Sequence, residues 1–139
     1  MIATCPACNA QVRLPAARLK DRPRCGQCKG ELSIAAPVVV ESAADFDALL
    51  ASAAVPVVVD FWAGWCAPCR AVAPELASLA RERAGRVIIA KVDTEALSEV
   101  AARFAVRSIP TLIRFDRARE TKREMGAMPA REIVARLGL

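Results

Sequence analysis

The chain has 139 residues, of which 55% are hydrophobic, and a formal net charge of +5. This length allows one ordinary domain with a small appendage, and no apolar run approaches the roughly 20 residues of a membrane span, so we expect a soluble protein without a membrane partner. Histidine is absent, which excludes Ser-His and Cys-His catalysis and zinc enzymes with histidine ligands.

Residues 1–36 form a predicted amino-terminal module that is rich in turns and in basic residues. They contain six basic and two acidic residues, whereas the rest of the chain contains fourteen and thirteen. No apolar segment follows a basic start, so no secretory signal is predicted, and the expected compartment is the cytoplasm, where cysteines stay reduced. The module has too few large apolar side chains to bury a stable core unaided.

Two Cys-x2-Cys pairs lie in this module, separated by sixteen residues. This spacing predicts a structural zinc site, and without histidine only a four-thiolate ligand set is possible. The predicted ligands are Cys5, Cys8, Cys25 and Cys28. Pro6 would stiffen the first knuckle, and Gly26 and Gly30 would let the second one turn. One zinc ion would add folding free energy on the order of 10 kcal/mol.

The same four cysteines permit other interpretations. They could form two structural disulfides, remain free thiols, or hold iron in the same tetrahedron. The basic residues of the module could offset the negative charge of a four-thiolate site, or contact nucleic acid. However, the module has no aromatic residue on which a base could stack, so nucleic acid is not an expected partner.

From residue 37 onward, strand and helix patterns alternate. The predicted strands are residues 37–41, 55–62, 86–93, 111–115 and 119–125, and the predicted helices are residues 43–53, 66–83, 96–104 and 129–139. The run 55–62 is β-branched, as is typical of a strand buried on both faces. Pro74 should kink its helix, and Pro129 suits the first turn of the last helix. This order indicates an α/β fold with a mixed sheet between helices.

A third Cys-x2-Cys pair, Cys66 and Cys69, lies where the buried strand is followed by a helix. Its spacing alone would suit a metal site, a structural staple or a redox switch. As a staple, a ring of four residues would contribute only roughly 2 kcal/mol. The helix N-terminus favours a thiolate, so we predict Cys66 as the attacking thiolate and Cys69 as the resolving cysteine of a redox site. Pro68 fits the first helical turn.

The segments VDFWAGWCAPCRAVAPELASLA, KVDTE, RSIPTLIRF and MGA resemble the thioredoxin family in their order and spacing. With the four-cysteine module in front, essentially the whole chain is similar to the zinc-binding second thioredoxins of bacteria. The resemblance implies a thioredoxin fold at residues 37–139 behind a zinc-ribbon-like module at residues 1–36. It further implies a thiol–disulfide oxidoreductase that reduces protein disulfides and receives electrons from NADPH through thioredoxin reductase.

The resemblance also implies roles for residues around the redox cysteines. Asp60 would accept a proton from Cys69, and Lys91 would neighbour this buried acid. Pro110 would be a cis-proline facing the cysteines, and the backbone of Ile109 would hydrogen-bond the substrate. The remaining residues of a flat apolar docking surface would be Trp65, Ala67, Pro68 and Gly126.

Alternatives to these roles stay open at the level of the sequence. Asp60 could face water at a strand end, Lys91 could be an ordinary solvated lysine, and Pro110 could be trans. Trp65 could be a core residue, which is the expectation for Trp62. Four arginines of the carboxyl-terminal hairpin region are expected on solvated faces: Arg114, Arg117, Arg119 and Arg123.

Two competing functions use the same fold. An oxidase or isomerase would run the disulfide exchange in the opposite sense. A zinc-dependent redox-sensing or binding module, such as a holdase or adaptor, would use the thioredoxin domain only for docking. The intact cysteine pair argues against an inactive domain, and we expect a monomer that reduces disulfide-containing proteins.

The chain departs from the family pattern at two places. Ala67 stands where the family usually has glycine between the first cysteine and the proline. Residues at this place tune the preference for the dithiol, and 30 mV corresponds to about 1.4 kcal/mol. The turn near Arg117 and Ala118 has no glycine, so its type is expected to differ.

Overall fold

Seven strands form a single sheet in the computed structural model, which describes residues 1–139. The strands are β1 (Ile2–Thr4), β2 (Gln11–Arg13), β3 (Val38–Val39), β4 (Val57–Trp62), β5 (Ile88–Asp93), β6 (Thr111–Asp116) and β7 (Arg119–Met125). The helices are α1 (Ala43–Ser52), α2 (Ala67–Glu82), α3 (Ser98–Arg103) and α4 (Ala130–Leu137), and a 3-10 helix spans Ala16–Asp21. The strand order is β2-β1-β3-β5-β4-β6-β7. Only the β3–β5 and β4–β5 pairs are parallel, so the predicted mixed sheet is confirmed.

Strand β4 is buried because helices cover both faces of the sheet. Val57, Val59 and Phe61 belong to one core cluster, to which α1 and α3 contribute, and Val58 belongs to a second cluster beneath α2 and α4. Successive side chains of a strand point to opposite faces, which explains why a continuous apolar run fits this position. The segment that leaves β4 therefore emerges between two packed layers, directly before α2.

Helix α2 begins one residue after Cys66 and continues through Pro74 to Glu82. Val72, Leu76 and Leu79 recur every three or four residues and are buried against the sheet. The last helix starts later than expected, because Pro129 has an extended backbone and is the N-cap of α4 rather than a residue of its first turn. None of the helices combines the length and apolar character that crossing a membrane requires.

The amino-terminal module continues the sheet of the rest of the chain. Strand β1 pairs with β2 on one side and with β3 on the other, where Ile2 is opposite Val39. Leu14 and Leu32 of the module lie in the same core cluster as Phe46 of α1. The module therefore draws stability from packing against the helical layer.

The β6–β7 hairpin turns at Arg117 and Ala118, whose φ values are both positive, 50° and 65°. Two positive φ values are the pattern of a type I′ turn, which normally favours asparagine and glycine. Two arginines of this hairpin are structural rather than solvated. Arg114 donates to the carbonyl oxygens of Leu137 and Gly138, and Arg123 donates to the carbonyl oxygen of Phe104.

Candidate active site and metal cluster

Cys66 is the N-cap residue of α2 and is joined to Cys69 by a disulfide. Its backbone is extended, and its Sγ accepts a hydrogen bond from the Cys69 N–H at 3.2 Å. The unpaired N–H groups and positive dipole end of the helix favour negative charge at this sulfur. The arrangement therefore stabilises a thiolate on Cys66 once the disulfide is reduced.

The loop before the disulfide is closed by Arg70. Its Nη1 donates to the carbonyl oxygen of Gly64 at 2.8 Å, across the segment that contains Trp65 and Cys66. Pro68 lies in the first turn of α2, where its missing N–H leaves no hydrogen bond unmade, as predicted. The loop that carries Cys66 is thus tied to α2, and Cys69 lies in the first turn of that helix.

Asp60 lies in β4, fully buried, and neither of its carboxyl oxygens has a hydrogen-bond partner. Burial raises the pKa of Asp60 from 3.8 to about 6, and the positive charge of Lys91 partly opposes this shift. The two residues are neighbours because Asp60 and Lys91 are directly paired in the β4–β5 register. A carboxyl group with this pKa can take up and release a proton near neutral pH.

Lys91 is half-buried and lies against Trp62. Its Nζ is 4.5 Å from the centroid of the Trp62 ring, within the range of a cation–π interaction. Trp62 is itself half-buried, and its Nε1 is buried without a hydrogen-bond partner. Lys91 is therefore not an ordinary solvated lysine, and Trp62 is only partly a core residue.

The residues predicted to form a docking surface lie around the disulfide. Trp65 is 68% exposed, and its Nε1 donates to Glu95 Oε1 at 2.7 Å, so it is not a core residue. Ala67 and Pro68 are exposed beside it. The carbonyl oxygen of Ile109 lies 3.7 Å from Cys66 Sγ.

The cis-proline expected from the resemblance is present. The Ile109–Pro110 peptide bond is cis, and Pro110 is buried. Its carbonyl oxygen accepts a hydrogen bond of 2.9 Å from the N–H of Gly126, whose φ is +95°. The segment that ends β7 is therefore tied to the segment that faces the cysteines.

Sequence reasoning missed three residues of this region, namely Met125, Ser108 and Glu95. Met125 is 63% exposed and its Sδ lies 3.3 Å from Ser108 Oγ, while Glu95 orients the Trp65 indole. The sequence pattern predicts a strand at Met125 but does not indicate which face of the sheet the residue occupies. Its position directly before Gly126 of the MGA segment was the available signal.

The four remaining cysteines form a compact cluster. Their sulfur atoms all lie within 4.8 Å of one another, with 3.7 Å between Cys5 and Cys28 and 3.6 Å between Cys8 and Cys25. Four sulfurs at 2.3 Å from a tetrahedral zinc ion are about 3.8 Å apart, so the cluster has the size of a zinc site. None of these cysteines is in a disulfide.

The two knuckles that carry the cysteines are built alike. The N–H of Cys5 donates to the carbonyl of Ala10, and the N–H of Cys25 donates to the carbonyl of Gly30. Positive φ values occur at Asn9 and Lys29. The expectation that Gly26 and Gly30 provide the turn is therefore wrong, because the left-handed residue of the second knuckle is Lys29.

Backbone N–H groups stabilise a thiolate within the second knuckle. Hydrogen bonding by the N–H groups of Cys28 and Gln27 lowers the pKa of Cys25, which suits a metal ligand. Half of the basic residues of the module are engaged in ion pairs: Arg13 with Glu41, Arg18 with Asp21 and Arg22 with Glu31. Lys29 instead donates to the Gly26 carbonyl, which keeps a cation within the second knuckle.

Comparison with known proteins places both parts of the chain in described families. Residues 37–138 match the thioredoxin family, and residues 4–30 match the family described as thioredoxin 2, N-terminal, a zinc ribbon. Thioredoxin C-3 of Corynebacterium nephridii is 38% identical over 133 residues, which are 96% of this chain and 90% of that protein. Thioredoxin of Haemophilus influenzae is 39% identical over 65% of this chain and 84% of its own length.

Solved structures show the same fold. Fasciola hepatica thioredoxin is 37% identical with a TM-score of 0.66, over 71% of this chain and 97% of that one. A thioredoxin mutant from Halobacterium salinarum is 26% identical with a TM-score of 0.68, over 75% and 89% of the two chains. With its cysteine pair in the active-site position, the protein is a thiol–disulfide oxidoreductase, and the chain belongs to the thioredoxin family.

Proposed function

We propose that the protein reduces disulfides of other proteins, with Cys66 as the nucleophile and Cys69 as the resolving cysteine. The Cys66 thiolate attacks one sulfur of the target disulfide, the target S–S bond breaks, and one target thiolate leaves. Cys69, as a thiolate, then attacks Cys66 Sγ and releases the second target thiolate. The observation that carries this proposal is the position of Cys66 Sγ at the N-terminus of α2, accepting the Cys69 N–H.

Asp60 is proposed to receive the proton that Cys69 loses before it attacks. Burial without a hydrogen-bond partner disfavours the carboxylate and raises the pKa of Asp60 to about 6, so protonation costs little free energy near neutral pH. Lys91, paired with Asp60 across β4 and β5, keeps this pKa from rising further. Lys91 thus acts through Asp60 rather than on the sulfurs.

The substrate is proposed to dock on the exposed apolar surface beside the disulfide. Trp65, Ala67 and Pro68 supply side chains on one side of Cys66. On the other side, Ile109 offers backbone groups, and Pro110 and Gly126 shape the adjoining segments. An extended protein segment that carries a disulfide fits such a surface because main-chain groups and flat apolar area are available together.

The dithiol must be regenerated after each turnover, and we propose thioredoxin reductase, supplied with electrons by NADPH, as the partner. Membership of the thioredoxin family supports this source of electrons. Cytoplasmic location is part of the same proposal, because four cysteines without disulfides suit a reducing compartment. The protein is proposed to work as a monomer.

The amino-terminal module, residues 1–36, is proposed to hold one structural zinc ion through Cys5, Cys8, Cys25 and Cys28, ahead of a thioredoxin domain at residues 37–139. The size of the sulfur cluster and the matching knuckles support this set of ligands. Zinc, when bound, would cross-link the two knuckles. Cys5 and Cys25 also pack in the core cluster shared with α1, so a fixed cluster would hold the module against the domain.

The reduction of insulin disulfides by dithiothreitol tests the mechanism. The wild-type protein should accelerate it, and Cys66→Ser should abolish the acceleration. Cys69→Ser is the matched control, because it keeps the nucleophile. When the reduced variant is mixed with insulin without dithiothreitol, it should accumulate a mixed disulfide between Cys66 and the substrate. Undiminished turnover by Cys66→Ser would refute the assignment of the nucleophile.

A further inference from the structure

Met125 is the exposed methionine of this chain. It is 63% exposed, whereas Met1 is buried and Met128 is half-buried against the core cluster beneath α4. Only three large apolar residues are exposed in the whole structure, and two of them, Trp65 and Met125, lie beside the active site. Single exposed apolar side chains are ordinary on protein surfaces, so it is the position of Trp65 and Met125 beside the reactive disulfide, and not their exposure alone, that makes them candidates for contact with a substrate.

Two consecutive residues connect Met125 to the reactive sulfur. Ser108 Oγ lies 3.3 Å from Met125 Sδ, and the carbonyl oxygen of the next residue, Ile109, lies 3.7 Å from Cys66 Sγ. In the β6–β7 register, Met125 is also opposite Thr111, the residue that directly follows Pro110. Ser108 and Ile109 therefore link the Met125 thioether to the segment that contacts Cys66.

We propose that Met125 is a docking contact for the protein substrate and a modification site, at which a peroxide converts the thioether to a sulfoxide and thereby weakens docking. This inference rests on the proposed docking surface. A sulfur lone pair forms a bond to one peroxide oxygen, and the O–O bond breaks. With hydrogen peroxide the proton of the transferred hydroxyl passes to the leaving oxygen, so sulfur loses two electrons and one water is released.

The surroundings of Met125 favour its oxidation, and an oxidised Met125 would weaken substrate docking. The residue is 63% exposed, and the Ser108 hydroxyl that donates to its sulfur can donate to the stronger acceptor, the sulfoxide oxygen. While Cys66 and Cys69 form a disulfide, neither is a thiolate that would consume the peroxide. Oxidation replaces an apolar contact by a polar group, which substrate docking would have to desolvate.

The test compares the wild type and its methionine variants before and after treatment with hydrogen peroxide. Full-length protein with the Cys66–Cys69 disulfide is treated with hydrogen peroxide, then incubated with dithiothreitol and zinc to restore its thiols, and mapped by peptide mass spectrometry. Met125 should gain one oxygen before Met1 or Met128. The KM for insulin should rise about fivefold while kcat stays the same, corresponding to about 1 kcal/mol of lost contact.

Three variants isolate the effect of Met125. Met125→Leu should lose the response of KM to peroxide, whatever its starting KM, because leucine has no sulfur. Met128→Leu is the matched control and should keep the response. Met125→Gln, which places a polar group at the same site, should raise KM without peroxide.

Reduction of bis(2-hydroxyethyl) disulfide, which is too small to use the docking surface, distinguishes the inference from the proposed function. An equal loss with this substrate and with insulin would show damage to the dithiol or the fold and would overturn the inference. Unoxidised Met125, or an unchanged KM for insulin after its oxidation, would overturn it as well. Lack of activity with both substrates before peroxide would instead contradict the proposed function.

Discussion

Replacing Asp60 with asparagine should raise the free energy of unfolding at neutral and alkaline pH. In the folded chain both carboxyl oxygens are buried without hydrogen bonds, and this burial raises the pKa from 3.8 to about 6. In the unfolded chain the carboxyl group titrates at its ordinary value. Each pKa unit corresponds to 1.36 kcal/mol, so the buried carboxylate costs on the order of 3 kcal/mol above about pH 6.

The free-energy cost of burying the Asp60 carboxylate depends on pH. Below about pH 4 the carboxyl group is protonated in both states and the cost vanishes, whereas between pH 4 and 6 it grows as the unfolded chain ionises first. Relative to Asp60→Asn, the wild type should therefore lose stability as the pH rises through this window. Above about pH 6 the difference should be constant.

Urea unfolding at a series of pH values measures the difference directly. Both proteins carry the oxidised disulfide and the same amino-terminal module, so titration of the other groups is common to both. Asp47→Asn is the control, because Asp47 forms an exposed ion pair with Arg103 and its loss should cost less than about 1 kcal/mol. A difference between wild type and Asp60→Asn that does not vary with pH, or a more stable wild type at pH 8, would refute the reasoning.

Two further predictions concern the turn and the zinc module. Ala118→Gly should raise the free energy of unfolding by about 0.5–1 kcal/mol, since Ala118 has a φ of 65° that glycine adopts without strain; an unchanged urea midpoint would contradict this. Cys5→Ser should remove about one zinc ion per chain and lower the free energy of unfolding by several kcal/mol, while insulin reduction by the folded fraction persists. Native mass spectrometry and urea titration measure these effects, and complete loss of reductase activity in folded Cys5→Ser would argue for a catalytic metal site.

The helices and strands after residue 37 could be predicted because their signals are local, whereas the thioredoxin fold followed from the family resemblance. The β-branched run of β4 and the alternation of strands and helices identified most elements to within about two residues. The cysteine at the start of α2 was predictable for the same reason, since a strand followed by a helix fixes the N-terminus of that helix. Periodicity and spacing within a short window are sufficient for such features.

Features that depend on distant partners could not be predicted. Arg114 and Arg123 looked like surface charges because their acceptors are backbone carbonyls far away in the sequence, at Leu137 and Phe104. The attachment of the module to β3 depends on the pairing of Ile2 with Val39, thirty-seven positions later. Neither local composition nor spacing contains this information.

The pairing of β1 with β3 has a consequence for association of the protein with other chains. Strand β3 is only two residues long, and Val39 is 40% exposed. Without β1, this side of the sheet would end in unpaired backbone groups next to an apolar side chain, which is a template for adding a foreign strand. The module replaces that edge with the three-residue strand β2, which ends in Arg13. The amino-terminal module thus covers a sheet edge at which another chain could otherwise add a strand.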